Sequence, residues 1–544
     1  MSAILEVLRL PDVRRIELGW FASMVGELTG TVAMLIFAHN QGGAAMVAFY
    51  GVARTVPAML VSPVLVSAGD RISQDRILRL AVAARVALMA LAALGAAYDA
   101  PAIGVVVVAA GASWLAGVYR PIQAAVLPWL ARTPGELTAA NVVSSLMENA
   151  GVLVGPLVAG IALATVGAAA AMGLAAVALV GALVAILWLE VPRDHGHEAH
   201  RVRTTNPLAN VAAGAAAIAR IAPPGGIPLL VFAQCFVRGV LTVLLVVLAL
   251  DVLDLGEASV GWLSAATGVG GLVGGIAAGA LMRVTTLGRG FVLGLLLWGL
   301  PLVALAIAPS PLVAYLALSV VGIGNAIEDV GLFTLVPRVL GPRIVGRALG
   351  AVELAVFIGL AAGSLAAPPL AATVGALNGL GIVGLGLAAL ATVYTIRFWQ
   401  LDRALPRPGP ELELLRANPI FAPLPLATVE LLATELEPHE HAVGTVIIRE
   451  GAAGDRLYLI EHGSATVSAA DKAMSTLGRG DCFGEIALLR DVPRTATVTA
   501  ATPMRTYSLA RDEFLAAVAG SRSASESAHA MVDERMAAGS ASGR

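Results

Sequence analysis

The chain is a succession of long apolar segments separated by short polar connections. A helix that crosses a bilayer needs about 20 mostly apolar residues, because each residue advances the helix by about 1.5 Å. Twelve segments meet this requirement, and the pattern therefore predicts twelve membrane-spanning helices. They lie at about 16–38, 44–67, 77–97, 102–125, 139–166, 168–190, 226–250, 260–282, 290–308, 312–335, 348–370 and 376–397.

The composition agrees with a chain that lies mainly in lipid. Hydrophobic residues make up 58% of the 544 residues, charged residues make up 13%, and the mean hydropathy is +0.83. Soluble domains carry about 25% charged residues. The first apolar segment lacks a small-residue cleavage site, which favours a retained span over a cleaved signal peptide. We therefore expect a multi-pass protein in contact with membrane lipid.

The distribution of arginine predicts the orientation. The connections near 40–43, 97–101, 167, 251–259, 308–311 and 373–375 contain neither Arg nor Lys. The opposite connections hold Arg71, Arg76, Arg132, Arg193, Arg201, Arg203, Arg220, Arg283, Arg289, Arg338, Arg343 and Arg347. Positive residues mark the cytoplasmic side. The pattern places both termini in the cytoplasm and the protein in a plasma (inner) membrane.

The apolar region divides into two similar halves. Residues 1–190 form a predicted N-terminal six-helix bundle, 191–225 a cytoplasmic linker, and 226–400 a C-terminal six-helix bundle. GVLVGPLVAG at 151–160 aligns with GLAAGSLAAP at 359–368, a spacing of 208 residues. Paired halves are typical of transporters, in which two bundles rock around a central site.

Two motifs in the first half carry a family resemblance. GDRISQDR at 69–76 resembles the G-x-x-x-D-R-x-G-R-R loop of the major facilitator superfamily, with matches at Asp70, Arg71 and Arg76. GVLVGP, with Gly155 and Pro156, resembles a motif of the drug–proton antiporter branch, and YRPIQAAVLPWL at 119–130 is similar to efflux-like members. The resemblance implies a gating role for the loop and a drug-efflux-like transporter.

The same motifs have a plain physical interpretation. An Asp70–Arg71 pair at a helix end could lock neighbouring helices in one conformation, or it could be a flanking pair that only sets topology. Gly151, Gly155 and Gly160 form a small-residue stripe that permits close helix contact. For this glycine stripe, helix packing is the interpretation that the residues themselves support.

Charged residues inside the predicted spans are candidates for transport work, because burying a charge in lipid is unfavourable. The candidates are Glu27, Arg54, Glu148, Arg238, Glu328, Asp329 and Glu353, together with the polar Asn149. Glu27 and Arg54 could instead form a buried structural pair. A sharper hypothesis is that Glu27 exchanges a proton with the cavity. Arg85 and Arg120 lie nearer the cytoplasmic ends, and we expect them to extend toward water.

The sequence argues against metal-dependent and ATP-driven functions. DHGHEAH at 194–200 could bind a metal, but we interpret it as a solvated linker. The two cysteines, Cys235 and Cys482, form no metal-ligand spacing. Lys472 is the only lysine, and its surroundings do not match a P-loop. We expect no enzyme activity, no metal and no nucleic-acid partner.

The composition changes after the last span. A polar linker is predicted at 401–416, a folded domain at 417–537 and a disordered tail at 538–544. LATVELLATEL at 426–436 has helical spacing, and short alternating runs follow, namely TVIIRE, RLYLIE, SATVS, ATVTA and MRTYSLA. Short strands at such intervals predict an antiparallel, jelly-roll-like β-roll flanked by helices. The expected fold is thus a polytopic α-helical membrane protein with a C-terminal α+β domain.

The C-terminal domain also carries a family resemblance. FGEIALLRDVPRTATV at 483–498, which we call the cassette, is similar to the phosphate-binding cassette of cyclic-nucleotide-binding domains in kinase regulatory subunits, channels and cAMP receptor proteins. EGAAGDRLYLIEHGSATV at 450–467 matches the strands that precede it. The resemblance implies cAMP or cGMP as a regulatory ligand.

The resemblance assigns roles to single residues. It implies that Arg494 binds the cyclic phosphate, for which a planar guanidinium is well suited. It implies that Glu485 accepts a hydrogen bond from the ribose 2′-hydroxyl. It also implies that Thr495 adds a hydroxyl contact to the phosphate or the base, which is compatible with either cAMP or cGMP. The other predicted contacts are Phe483, Gly484, Ile486, Ala487 and Ala496. A domain that keeps the fold but binds nothing is the alternative.

The last helix, about 523–537, presents Ala528, Met531, Val532 and Met536 on one side. It is either a lid over the base, as the family implies, or a packing face. We expect a secondary transporter that exports a small molecule and that cAMP or cGMP regulates, with proton coupling left open. The alternatives are a membrane-anchored receptor and a channel, although no pore-loop pattern is visible. The oligomeric state stays open.

Overall fold

The computed structural model describes residues 9–68, 73–130, 134–189, 226–281, 287–340, 342–404, 409–424, 426–469, 472–519 and 522–542. The chain forms two compact units. The larger unit, which we call the membrane unit, comprises Met1–Arg132 and Glu136–Leu405. The smaller one, which we call the C-terminal unit, begins at Pro406. The predicted loop residues Asp70 and Arg71 and the whole linker 191–225, with its tract 194–200, lie outside the described residues.

The membrane unit is helical throughout its described residues. Its helices are α1 (Pro11–Ala68), α2 (Gln74–Ala97), α3 (Ala102–Ala116), α4 (Tyr119–Leu130), α5 (Pro134–Thr165), α6 (Gly167–Ile186), α7 (Ile227–Val247), α8 (Ala258–Leu281), α9 (Leu287–Ile307), α10 (Pro311–Leu340), α11 (Pro342–Val374) and α12 (Ala376–Ala404). A π-helical turn, Leu248–Val252, extends α7. The predicted apolar segments thus coincide with helices.

Eleven helices among the described residues are long and apolar enough to cross a membrane. The first of them, Pro11–Met59, has 49 residues and is more than twice the length that a bilayer requires. Gly42 and Gly43 inside α1 have non-helical backbone angles, and Gly43 has a φ of 56°. The break lies where the sequence predicts a connection between two spans. The exact number of spans stays a prediction.

Glycine allows the helices of the second half to pack with their backbones in contact. A Cβ atom on Gly363 of α11 would lie 2.0 Å from the carbonyl oxygen of Phe236 in α7. A Cβ on Gly299 of α9 would lie 2.4 Å from the carbonyl oxygen of Gly384 in α12. Helices in lipid gain no hydrophobic free energy by associating, so their packing depends on the van der Waals contacts that such close approach provides.

The C-terminal unit consists of two four-stranded antiparallel sheets with helices before and after them. The helices are α13 (Pro410–Ala417), α14 (Leu426–Glu435), α15 (Glu485–Arg490), α16 (Arg511–Ala519) and α17 (Arg522–Ser542). The strands are β1 (Glu437–His441), β2 (Val446–Ile448), β3 (Arg456–His462), β4 (Ala465–Ala469), β5 (Lys472–Leu477), β6 (Cys482–Phe483), β7 (Thr497–Ala500) and β8 (Met504–Ala510). The sheet orders are β1-β8-β3-β6 and β2-β7-β4-β5.

This arrangement confirms the predicted antiparallel β domain with flanking helices. The five alternating runs became β2, β3, β4, β7 and β8. The strands β1, β5 and β6 were not predicted, because β1 and β5 are largely exposed and β6 has only two residues. Helix α17 continues to Ser542, into the segment for which the sequence predicted a tail.

Two apolar clusters hold the unit together. One lies between the sheets and contains Ile448, Ile460 and Phe483. The other joins the sheet to the helices and contains Leu415, Leu459 and Phe514. Because the cassette begins at Phe483, it starts inside the core, and the residues that follow are held at a fixed place on the sheet edge.

Candidate functional site

The cassette opens with a sharp turn at Gly484. This residue has a φ of 91°, in the left-handed region that glycine adopts most readily, and helix α15 begins directly after it. A Cβ atom at Gly484 would lie 2.5 Å from Nη1 of Arg494. The preceding Phe483 is buried and stacks on Tyr458, with 5.2 Å between the ring centroids. Glycine is therefore required both for the turn and for the approach of Arg494.

Arg494 is buried, with 5% of its surface exposed. Its Nη1 donates to the carbonyl oxygen of Gly484 at 2.9 Å, and its Nη2 donates to the carbonyl oxygen of Arg456 at 2.7 Å. Asp455, which is mostly exposed, lies 3.8 Å from Nη2. Burial lowers the pKa of Arg494, since desolvation disfavours its charged form. A guanidinium has five N–H donors, so donors remain for a ligand.

Glu485 is buried beside this arginine, at the start of α15, and its main partner is a residue that the sequence did not indicate. Nη1 of Arg535, on α17, donates to Oε1 of Glu485 and to the carbonyl oxygen of Cys482, both at 2.7 Å. Burial opposes the charged form of Arg535, but the carboxylate of Glu485, together with Cys482 and Asp481, raises the pKa of the arginine. Oε2 of Glu485 is buried and accepts no hydrogen bond from the described residues.

The other predicted cassette residues surround this pair. Ala487 is buried, and a Cβ at Gly454 would lie 2.8 Å from the Cβ of Ala487. Ile486 and Ala496 are partly buried, and Thr495 is exposed beside Arg494. The structure thus buries a cation and a carboxylate in one short segment: Glu485 follows Gly484 directly, and Arg494 donates to the carbonyl oxygen of Gly484, with the exposed Thr495 next in the chain.

The helix α17, predicted as a lid or a packing face, has features of both. Ala528 and Val532 are fully buried, and Met531 packs against the helical core cluster. Near its end Arg535 reaches Glu485, and Asp533 pairs with Arg490 of α15 at 2.6 Å. The side chain of Met536 lies outside the described part of the structure.

In the membrane unit, Glu27 is bound on both oxygens. Oε2 accepts from Arg85 at 3.0 Å and Oε1 accepts from Ser113 at 2.8 Å, while Arg54 lies 4.0 Å away. Arg85 is almost completely buried and also donates to Ser23. The expectation that Arg85 extends to water is therefore wrong. A buried arginine needs a carboxylate partner, and Glu27 provides it.

A second set of charges lies on α4, α5, α7 and α10. Arg120 is 3.7 Å from Glu148. Arg238 is exposed in the described structure and interacts electrostatically with Glu328 and Asp329. Glu328 is buried, whereas Asp329 is exposed and accepts from Asn325 at 2.8 Å.

The glycine stripe of α5 makes the close contacts that its spacing predicts. A Cβ at Gly155 would lie 2.7 Å from the Cβ of Leu28, and Thr29 donates to the carbonyl oxygen of Gly155 at 3.0 Å. Pro156 lies inside the helix. Arg76 is exposed in the first turn of α2, and the rest of its predicted gating loop, at 69–72, is outside the described residues.

The two halves of the membrane unit touch through polar pairs at one end. Nε2 of His39 lies 3.3 Å from Oδ1 of Asp251, and Asn40 donates to Glu257 at 2.8 Å. We call this the paired end. Close to this end, in the first turn of α8, α5 and α8 meet through glycine, since a Cβ at Gly261 would lie 2.6 Å from the Cα of Gly160.

The fold and the site define a multi-pass membrane protein that carries a ligand-binding β-roll. Residues 227–445 match the family model described as Major Facilitator Superfamily, and residues 438–521 match the model described as Cyclic nucleotide-binding domain. The chain is therefore similar to the major facilitator superfamily over one segment and to cyclic nucleotide-binding domains over the other. Neither family is a family of enzymes.

Curated relatives match the C-terminal part of the chain. A cAMP-dependent protein kinase regulatory subunit of Yarrowia lipolytica is 42% identical over 102 residues, which are 18% of this chain and 27% of that protein. A cyclic nucleotide-gated potassium channel of Rhizobium etli is 34% identical over 146 residues, 25% of this chain and 37% of the channel. This chain thus spans about a quarter to a third of the length of these relatives.

A solved structure is also similar. The regulatory domain of Toxoplasma gondii PKA with cAMP shares 32% identity, with a TM-score of 0.20, over 20% of this chain and 43% of that one. Among the described residues of this chain, no group of three or more His, Cys, Asp or Glu side chains could hold a metal ion.

Proposed function

We propose that the protein is a secondary transporter whose cycle is regulated by cAMP or cGMP bound to the C-terminal unit. The observation that carries this proposal is the geometry of the cassette. Arg494 and Glu485 are both buried there: Glu485 follows Gly484 directly, and Arg494 donates to the carbonyl oxygen of Gly484. Burying a cation and a carboxylate is unfavourable, and a ligand that requires both charges explains why they are there.

The chemistry of the pair fits a cyclic nucleotide. A guanidinium with free N–H donors binds the two exposed oxygens of a cyclic phosphate. Oε2 of Glu485, which has no partner among the described residues, would accept the ribose 2′-hydroxyl while Oε1 stays bound to Arg535. Relatives of this domain are named for cAMP and for cGMP, which supports a cyclic nucleotide as the ligand and does not decide between adenine and guanine.

The membrane unit supplies what a transporter requires. Alternating access needs two bundles whose contacts break at one end and form at the other. The pairs His39–Asp251 and Asn40–Glu257 join the two halves at the paired end. If the arginine-rich connections face the cytoplasm, as we propose, the paired end faces outward and the structure represents a state that is sealed on the outer side.

We further propose export of a small molecule, on the basis of the efflux-like motifs of α4 and α5. Proton coupling through Glu27 is not part of this proposal. Both oxygens of Glu27 are already bound, by Arg85 and Ser113, which supports a structural role. A role for Glu27 in coupling would be recovered if Glu27→Gln changed the pH-gradient dependence of transport.

Regulation requires that nucleotide binds one transporter conformation more tightly than another. A thousandfold difference in affinity shifts the conformational equilibrium by about 4 kcal/mol. Such a shift converts a mostly sealed population into a mostly open one, or the reverse. The sign of the effect is set by which conformation binds nucleotide better.

Nucleotide binding is tested by calorimetry on the purified full chain with cAMP and with cGMP. Arg494→Ala is expected to weaken binding by about a hundredfold, because removal of a charged hydrogen-bond donor to a buried phosphate costs about 3 kcal/mol. Arg505→Ala is the matched control, since Arg505 is a half-exposed arginine of the same unit that pairs with Glu461. Absence of heat with either nucleotide, or equal effects of both variants, rejects the proposal.

Transport is tested in liposomes with a panel of small organic compounds, with and without each nucleotide. We expect at least one compound to move, at a rate that changes with nucleotide in the parent chain and not in Arg494→Ala. A chain that binds nucleotide and moves none of the compounds would favour a membrane-anchored receptor. A rate that is indifferent to bound nucleotide would retain the transporter and reject its regulation.

A further inference from the structure

The end of the last membrane helix is fastened to the start of α9. The side chain of Asp402, in the last turn of α12, is buried and accepts two backbone hydrogen bonds, from Gly288 at 2.7 Å and from Arg289 at 3.0 Å. The first N–H groups of a helix have no partner within the helix, and a carboxylate there is favoured by the helix dipole. Asp402 therefore binds the N-terminus of α9 through charge-assisted bonds.

Aromatic contacts reinforce this attachment. Trp399 is flanked by two guanidinium groups, those of Arg289 and Arg403, each 4.7 Å from its ring centroid. Phe398 of α12 packs on Phe291 of α9, with 5.4 Å between the centroids. The surroundings thus hold the end of α12 and the first turn of α9 together on more than one side.

The backbones also approach closely at this point. A Cβ atom at Gly288 would lie 2.9 Å from the carbonyl oxygen of Phe398 and 3.0 Å from Oδ1 of Asp402. A larger residue would force the two helices apart. We call Asp402, Trp399, Gly288 and Arg289 the joint.

The joint lies where the C-terminal unit is attached. Helix α12 ends at Ala404, and the C-terminal unit begins at Pro406, four residues after Asp402. The covalent connection between the two units passes through this helix end. A displacement of the C-terminal unit that reaches the spans through the chain therefore acts first on the last turn of α12.

From the joint, α9 leads to the charged residues of the second half. A Cβ at Gly294 of α9 would lie 2.8 Å from the Cβ of Glu328 in α10, so α9 and α10 are in backbone contact there. Glu328 and its neighbour Asp329 interact electrostatically with Arg238 of α7. Closely packed helices move as a unit, because cores resist continuous deformation.

We propose that the joint transmits the nucleotide-dependent movement of the C-terminal unit to α9 and α10. This inference rests on the proposed regulation and adds the residues through which it acts. The Asp402 carboxylate is a positioning group: it binds neither nucleotide nor transported compound, and it makes α9 follow α12. Without it, the C-terminal unit can respond to nucleotide while the membrane unit does not.

The experiment measures the paired end in the full chain reconstituted in nanodiscs. Asn40→Cys and Glu257→Cys place two thiols where a 2.8 Å hydrogen bond now joins the halves. The rate of cross-linking by a short bifunctional thiol reagent reports whether that end is closed. Rates are compared without nucleotide and with saturating cAMP or cGMP, and nucleotide binding is verified in every variant.

We expect nucleotide to change the cross-linking rate in this parent, and Asp402→Asn to reduce that change by about tenfold, a coupling of the size common between linked sites. Nucleotide still binds Asp402→Asn. The matched control is Asp99→Asn, which removes an exposed carboxylate from a connection of the same unit; it is expected to keep the full response.

The possible failures are distinct. A full nucleotide response in Asp402→Asn overturns the joint and leaves the proposed regulation intact. A parent that binds nucleotide without any change in cross-linking overturns both. If Asp402→Asn does not fold, Trp399→Leu decides in its place, since Trp399 is partly exposed and its two cation contacts can be removed without emptying the core; an unchanged response in that variant overturns the joint.

Discussion

The role of Glu485 can be tested by changing the residue and the ligand together. Glu485→Gln preserves the size of the side chain and removes its charge, while 2′-deoxy-cAMP or 2′-deoxy-cGMP removes the hydroxyl that it is proposed to bind. If Oε2 of Glu485 accepts that hydroxyl, each change disrupts the same hydrogen bond. The two effects on binding free energy are then not additive. The departure of the combined effect from the sum of the two single effects measures the energy of the contact.

The structure sets the size of the effect. Oε2 is buried and without a partner among the described residues, so a hydroxyl placed there would bond to a desolvated carboxylate. Hydrogen bonds to charged groups contribute about 1.5–3 kcal/mol, or about 10- to 150-fold in affinity. We expect the parent to prefer the ribonucleotide by about 30-fold. In Glu485→Gln the neutral amide oxygen still accepts weakly, and the preference falls to about 3-fold.

The assay is calorimetric titration of the full chain with the ribo and the 2′-deoxy form of whichever nucleotide binds more tightly. Glu461→Gln is the matched control, because Glu461 is a mostly buried carboxylate of the same unit that pairs with Arg505 and loses its charge in the same way. Its preference for the ribonucleotide should equal that of the parent. Equal affinity of the parent for both forms, or an undiminished preference in Glu485→Gln, refutes the contact.

Three further predictions concern stability. Arg85→Met leaves Glu27 buried with a lost ion-pair partner and should lower the free energy of unfolding by about 3–5 kcal/mol; a melting temperature equal to the parent's contradicts the buried pair, and Glu27→Gln in the same chain should restore part of the loss. Gly261→Val should force α8 away from Gly160, lower the melting temperature of the membrane unit and leave nucleotide affinity unchanged; an undiminished melting temperature would refute the close contact. Burial raises the pKa of Cys482 to about 12 from an ordinary value of 9.0, so its thiol is neutral at pH 8 and the stability it contributes is lost as pH rises from 9 toward 12; rapid maleimide labelling of the folded chain at pH 8 would contradict this.

The sequence predicts the parts of this fold that depend on local patterns. Apolar segments of sufficient length formed helices, and the short runs of alternating residues formed strands such as β3 and β8. Strand β1, Glu437–His441, carries polar residues along its length and lies at the sheet edge, so alternation does not reveal it. Its strand conformation comes from pairing with β8, which is a tertiary contact.

The candidate site divides in the same way. The resemblance of the cassette locates Arg494 and Glu485, because their spacing lies within one short segment. It does not locate Arg535, which is 50 residues further on and reaches Glu485 only after α17 has folded back. Arg85 shows the same limitation, since its burial depends on Ser23 and Glu27 of another helix. Long-range ion pairs leave no local periodicity in the sequence.

Helix α17 shows both kinds of interaction, because its first part is held by apolar packing and its later part by long-range charge pairs. Ala528 and Val532 are fully buried, and displacing this part would expose apolar surface worth about 25 cal/mol per Å². The later part is held by charge pairs, Arg535 with Glu485 and the exposed Arg490 with Asp533, and an exposed pair contributes about 0–1 kcal/mol. Ribose binding to Glu485, as proposed, would alter the partner of Arg535 directly. The end of α17 is therefore the part of the helix that can respond to nucleotide, while its beginning stays fixed to the core.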